Sequence, residues 1–270
     1  MQYLAGQAEK YADSVIFQLF PRTLLTSSGK VTARRHATPD GGEADDRRAD
    51  MFDNAVQLHK LTGEGIVWPA VQQLMREHMV EVGDLLPLVQ DNPFVPLGRE
   101  TIVARGLHAG LTGDFLVSTH LLVPQIEHAI RILLARAGSI TSTLTSEGIQ
   151  DERSLNDLLA MPELEPILGA DIIFSLQGLL VERHGANLRN LVAHGLLHHG
   201  AFYTAQAVYL WWLVLRLCCI PVLNGIHRIL EEGPVPEQTV EQESTPGDQE
   251  ESMRYGPAAP MPKMDEELPQ

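Results

Sequence analysis

The apolar positions along this chain recur mostly at helical spacing. Between Gln2 and Leu25, the residues Leu4, Tyr11, Val15, Ile16, Leu19 and Phe20 form one side of an amphipathic helix, predicting an N-terminal helix over 1–25. The pattern then stops. SSGKVTARRHATPDGGEADDRRAD is polar, contains glycine and is dense in charge, which predicts an exposed linker over 26–50. Two accessory helices follow within 51–92, near Ala49–Lys60 and Val67–Val82, until DNPFVPLGRE interrupts them at Pro93 and Pro96.

The main domain is predicted over 93–230. Arg99–Ala109 reads as a short helix stopped by Gly110 and Gly113. Asp114–Ala137 reads as a long one, capped by Asp114 and ended at Gly138, with Pro124 inside to kink or split it. A Ser/Thr-rich connection, SITSTLTSEGIQDERS, leads to a short helix at Leu155–Leu159. Next come an apolar helix over Ala170–Val181, an RHGAN loop, a helix near Leu188–Leu197 and an apolar helix from Phe202 to Leu217 or beyond. Alternating strand patterns are scarce. The class is therefore all-α, with four core helices packed as a bundle. Ala207–Leu223 is shorter than the ~20 apolar residues of a membrane span. It also carries Arg216 and meets Pro221, so it reads as a core helix, and no membrane partner is expected.

Composition refines this picture. The 270 residues, 44% hydrophobic, suffice for one medium domain with appendages. Cys218 and Cys219 are adjacent in an apolar run and read as core residues in a reducing compartment. MQYLAGQAEKYADSVIF lacks the apolar centre of a signal peptide, so a cytoplasmic location is expected. The net charge of −15 is uneven: residues 231–270 hold eleven acids and two bases, leaving only −6 for residues 1–230. That tail, rich in Pro and Glu, is predicted to be acidic and disordered. A mildly acidic body is no footprint for duplex DNA, so any RNA contact should be local.

LRNLVAHG, Leu188–Gly195, carries the candidate chemistry. Asn187 is placed to N-cap this helix, and Arg189 falls in the first turn, where free N–H groups favour a phosphate. Asn190 and His194 share a face at i, i+4. Gly195 removes a side chain beside the histidine, leaving room for a ligand or another backbone. The plain alternative is a structural His194 bonded to Asn190. His198 lies at i+4 from His194, but no acidic or Cys ligand joins them at helical spacing and no HExxH is present, so no metal is expected. Walker, GxGxxG and GxSxG patterns are also lacking.

RNLVAHG fits an RNxxxHG signature, and Arg189 to His194 fits RxxxxH. With FVPLGRETIVARGLHAGLTGDFLVSTHLLVPQIEHAIRILL and AVYLWWLVLRLC, the stretch from Pro93 to Cys219 resembles a branch of the HEPN superfamily of helical domains. That branch includes eukaryotic proteins linked to RNA degradation at the endoplasmic reticulum membrane. The residues before Asp91 resemble the end of a longer upstream region. The resemblance implies a HEPN-like bundle and a metal-independent, cofactor-free endoribonuclease acting on single-stranded RNA as a homodimer. Arg189 and His194 would be its catalytic pair, with Asn190 and Gly195 in support. It also implies that Glu127, on the long helix, orients Arg189; the plain alternative is a surface pair with Arg131 at i, i+4. Other HEPN domains bind RNA, nucleotides or proteins without cutting, and that is the alternative reading.

Overall fold

The computed structural model describes residues 22–25, 31–35, 44–144 and 149–232. They are mostly helical, with two short antiparallel hairpins. The expected disordered tail lies outside the described residues apart from its first two positions, which close the last helix.

The N-terminal region departs from expectation. Residues 1–21 of the predicted helix lie outside the described residues, but β1 (Arg22–Leu25) is a strand. It pairs with β2 (Val31–Arg35), inside the supposed linker. Thr23, Val31 and Thr32 favour extended backbone, and Pro21 discourages a helix running into Arg22. The linker is also shorter than expected, because α1 (Ala44–Thr62) already occupies its end. A single π-helical segment, Gly63–Val67, joins α1 to α2 (Trp68–Glu77). Glycine is needed at 63, where a Cβ would lie 2.5 Å from the Ala205 carbonyl oxygen.

The core follows. α3 (Glu100–Leu111) turns through Gly113, at φ +85°, into α4 (Phe115–Arg136). Asp114 caps α4 by accepting from the Val117 N–H at 3.1 Å. α4 neither splits nor stops at Pro124. That residue is exposed, so solvent can take the carbonyl it frees, while Leu122, Val123 and Ile126 are held by burial. After α4 come β3 (Ser142–Leu144) and β4 (Gln150–Glu152), a hairpin where a plain connection was expected. α5 (Leu155–Leu159), α6 (Ala170–Leu180), α7 (Leu188–Ala193) and α8 (Ala205–Glu232) follow.

α8 runs through Pro221 and packs on α1, α3 and α4. Trp211 donates its indole N–H to the Leu107 carbonyl at 2.8 Å, and a Cβ at Gly110 would collide with its ring. Ala205–Asn224 has the length and apolarity of a membrane span, with half of that window buried in the fold. Burial pushes the Cys218 thiol up to about 12, which makes it an inert core group. His59 of α1 is also buried, stacked on Tyr209 with ring centroids 4.3 Å apart. Neither of its ring nitrogens has a hydrogen-bond partner among the described residues, and burial pushes the imidazole down to about 4.

Candidate functional site

Two glycines set the approach to α7. The Ala186 N–H reaches the Gly178 carbonyl at 2.7 Å, and a Cβ at Gly185 would run into that same carbonyl. The loop after α6 therefore folds flat against the end of that helix. Asn187 then takes the left-handed conformation, φ +52°, which asparagine tolerates better than most residues. It occupies the N-cap position, but its side chain makes no capping bond. Its Oδ1 accepts instead from Asn190 Nδ2 at 2.7 Å. Leu188 is buried and anchors the first turn.

α7 is only six residues long, shorter than expected, and its end explains Gly195. The Leu196 N–H bonds the Leu191 carbonyl at 2.9 Å, and the Gly195 N–H bonds the Val192 carbonyl at 3.0 Å. This is a Schellman stop, with Gly195 left-handed at φ +63° just after the His194 C-cap. The space its missing side chain leaves holds nothing within 4 Å. Gly195 ends the helix; none of the described residues approaches through it.

Arg189 is tied down from two sides. Its Nε donates to Glu127 Oε2 at 3.1 Å and its Nη1 to Asn190 Oδ1 at 3.2 Å. Nη2 has no hydrogen-bond partner among the described residues, and the side chain keeps 29% exposure. Glu127 contacts both arginines: Oε2 faces Arg189 at 3.1 Å and Oε1 faces Arg131 at 3.4 Å, and the pair with Arg131 is partly buried, not a surface one. His194 is exposed, and its ring has no hydrogen-bond partner among the described residues. The bond to Asn190 that the plain alternative called for does not form among the described residues; the Asn190 amide accepts from Arg189 and donates to Asn187.

No family model, no curated protein and no solved structure matches this chain. Its chemistry has to be read from the site.

Sequence reasoning missed the layer behind Arg189. Arg131 donates through Nη2 to the Arg153 carbonyl at 2.9 Å and forms an ion pair with Glu152, Nε to Oε2 2.7 Å apart, without hydrogen-bond geometry. The β-branched residues of SITSTLT, with SEG beyond them, were the available hairpin signal. His128, next to Glu127, has its imidazole held below the usual range by burial, then by Arg99 and Arg131, with Glu152 opposing. His198 and His199 do not share a helix with His194. His198 precedes a short 3₁₀ turn, His199–Phe202, and both are exposed. Among the described residues no three His, Cys, Asp or Glu side chains cluster as a metal site would require. The arrangement offers an immobilised guanidinium with one free edge, one short helix from an accessible imidazole.

Proposed function

We propose that this chain is a HEPN-type, metal-independent endoribonuclease acting on single-stranded RNA in the cytoplasm, with Arg189 and His194 as its catalytic residues. The observation that carries this reading is the Arg189 guanidinium, held by Glu127 and Asn190 with Nη2 unpartnered, on the short helix that the exposed His194 caps. Cleavage needs a base to take the 2′-hydroxyl proton, so that the 2′-oxygen attacks phosphorus and forms a 2′,3′-cyclic phosphate. It also needs an acid to protonate the departing 5′-oxygen and a cation beside the phosphorane. Imidazole performs either proton transfer, and arginine supplies the charge. One His194 per chain fills only one of the two proton roles. A two-fold dimer with α7 at its interface supplies the second. The exposed Leu196 and Tyr203 on the same stretch support such a contact.

The test is incubation of the full chain with single-stranded RNA in EDTA, beside His194→Ala. Wild type cleaves and leaves a 2′,3′-cyclic phosphate end, while the variant keeps its fold and does not cleave. Equal cleavage by both, or none by either, overturns the nuclease reading. RNA retained without cleavage would leave a non-catalytic HEPN module in its place.

A further inference from the structure

We infer that Glu152, on the β3–β4 hairpin, is a positioning residue for Arg189, acting through Arg131 and Glu127. Four side chains form a line of alternating charge: Glu152, Arg131, Glu127, Arg189. The contacts along it are 2.7, 3.4 and 3.1 Å. The uneven distances are informative. Arg131 and Glu127 sit at i, i+4 on α4, a spacing at which a guanidinium ordinarily engages its carboxylate closely. Here that contact is the longest of the three: the same Arg131 Nη2 also donates to the Arg153 carbonyl at 2.9 Å, and Nε faces Glu152 in an ion pair without hydrogen-bond geometry. Glu127 therefore keeps Oε2 for Arg189. Without the contacts from the hairpin, the Arg131 fork is free to take both Glu127 oxygens and compete with Arg189 for them.

The hairpin is built to hold those contacts steady. Glu152 pairs with Ser142 in the β3–β4 register, and the Arg153 N–H bonds the Thr141 carbonyl at 3.0 Å. Immediately afterwards Ser154 caps α5, whose Leu155, Leu158 and Leu159 are buried. The base of the hairpin is thus fixed on both sides. Glu152 itself is 66% exposed, and an ion pair with so exposed a partner adds little to stability. Its consequence is geometric: it decides which arginine Glu127 serves.

The relay itself does not depend on the ribonuclease reading, though its effect on turnover rests on it, and the experiment separates the two. In ¹⁵N-labelled full-length protein, the Nε–Hε signal of Arg189 is identified by its loss in Arg189→Lys. Glu152→Gln and Arg131→Gln each move that signal, and Glu152→Gln adds no further movement in the Arg131→Gln background. A signal unmoved by Glu152→Gln, or moved equally with and without Arg131, overturns the relay. With RNA, Glu152→Gln lowers kcat several-fold at unchanged KM and unchanged melting temperature. Unchanged kcat in a variant whose Arg189 signal has moved overturns the positioning role. Failure of the wild type to cleave overturns the ribonuclease reading alone, and the signal still decides the relay.

Discussion

At the scale of single residues, Arg189 and Glu127 should fail in different ways when changed. Glu127 is 19% exposed and faces two guanidinium groups, so Glu127→Gln leaves the partly buried Arg189 without its carboxylate and Arg131 with the exposed Glu152 alone. We expect a loss of about 1–3 kcal/mol in stability together with loss of cleavage. Arg189→Lys retains the charge but cannot reach Glu127 and Asn190 at once or present a planar edge, so cleavage falls while the melting temperature moves less. Melting curves and cleavage rates on both variants decide this; an unchanged melting temperature for Glu127→Gln would show a solvent-screened surface pair. Arg189, Asn190 and His194 were legible because they lie in one short motif. Glu127 was reachable only through family resemblance, since it stands 62 residues away. Arg131, Glu152 and the Arg153 carbonyl were not legible together, because their meeting depends on where the hairpin lands on α4.

At the scale of elements, periodicity located most helices of the main domain, and the discrepancies have two opposite causes. Pro124 looked like a kink or a break, yet α4 continues through it because packing outweighs one lost hydrogen bond, as α8 does through Pro221. Conversely, α7 ends before its apolar pattern does, because a left-handed Gly195 halts it. In the sequence the glycine stood out for clearance; in the fold it terminates the helix. These two roles predict opposite mutational orders. If Gly195 is a helix stop, Gly195→Ala forces an L-residue to φ +63° and costs about 1–2 kcal/mol. Gly195→Asn then costs less, since asparagine tolerates that region. If clearance mattered, the larger asparagine would be the more damaging. Thermal unfolding of the two variants decides; alanine tolerated better than asparagine would contradict the Schellman assignment.

At the scale of the whole molecule, acid should act on the fold as well as on the site, and His59 is the reason. Its imidazole, enclosed between α1 and α8, is pushed from 6.5 in the unfolded chain down to about 4 in the fold. Between those values the unfolded chain takes up a proton that the folded chain refuses, so stability falls as pH drops through 6.5 and levels off below 4. The shift corresponds to about 3 kcal/mol, a large share of the stability of an ordinary domain. This bears directly on how a pH–rate profile would be read, because lost cleavage below neutral pH would otherwise be credited to His194. His59→Phe separates the causes: it keeps a ring against Tyr209 and removes the group that must protonate. Chemical denaturation at pH 7 and pH 4.5 should show a smaller loss of stability for His59→Phe than for wild type, while the carboxylates contribute equally to both. If the variant also retains cleavage at acid pH that wild type loses, the acid limb reports unfolding around His59 and not the titration of a catalytic base. Equal losses of stability in both proteins would mean that the buried histidine finds a compensating partner on protonation, and the acid limb would then belong to the chemistry of the site.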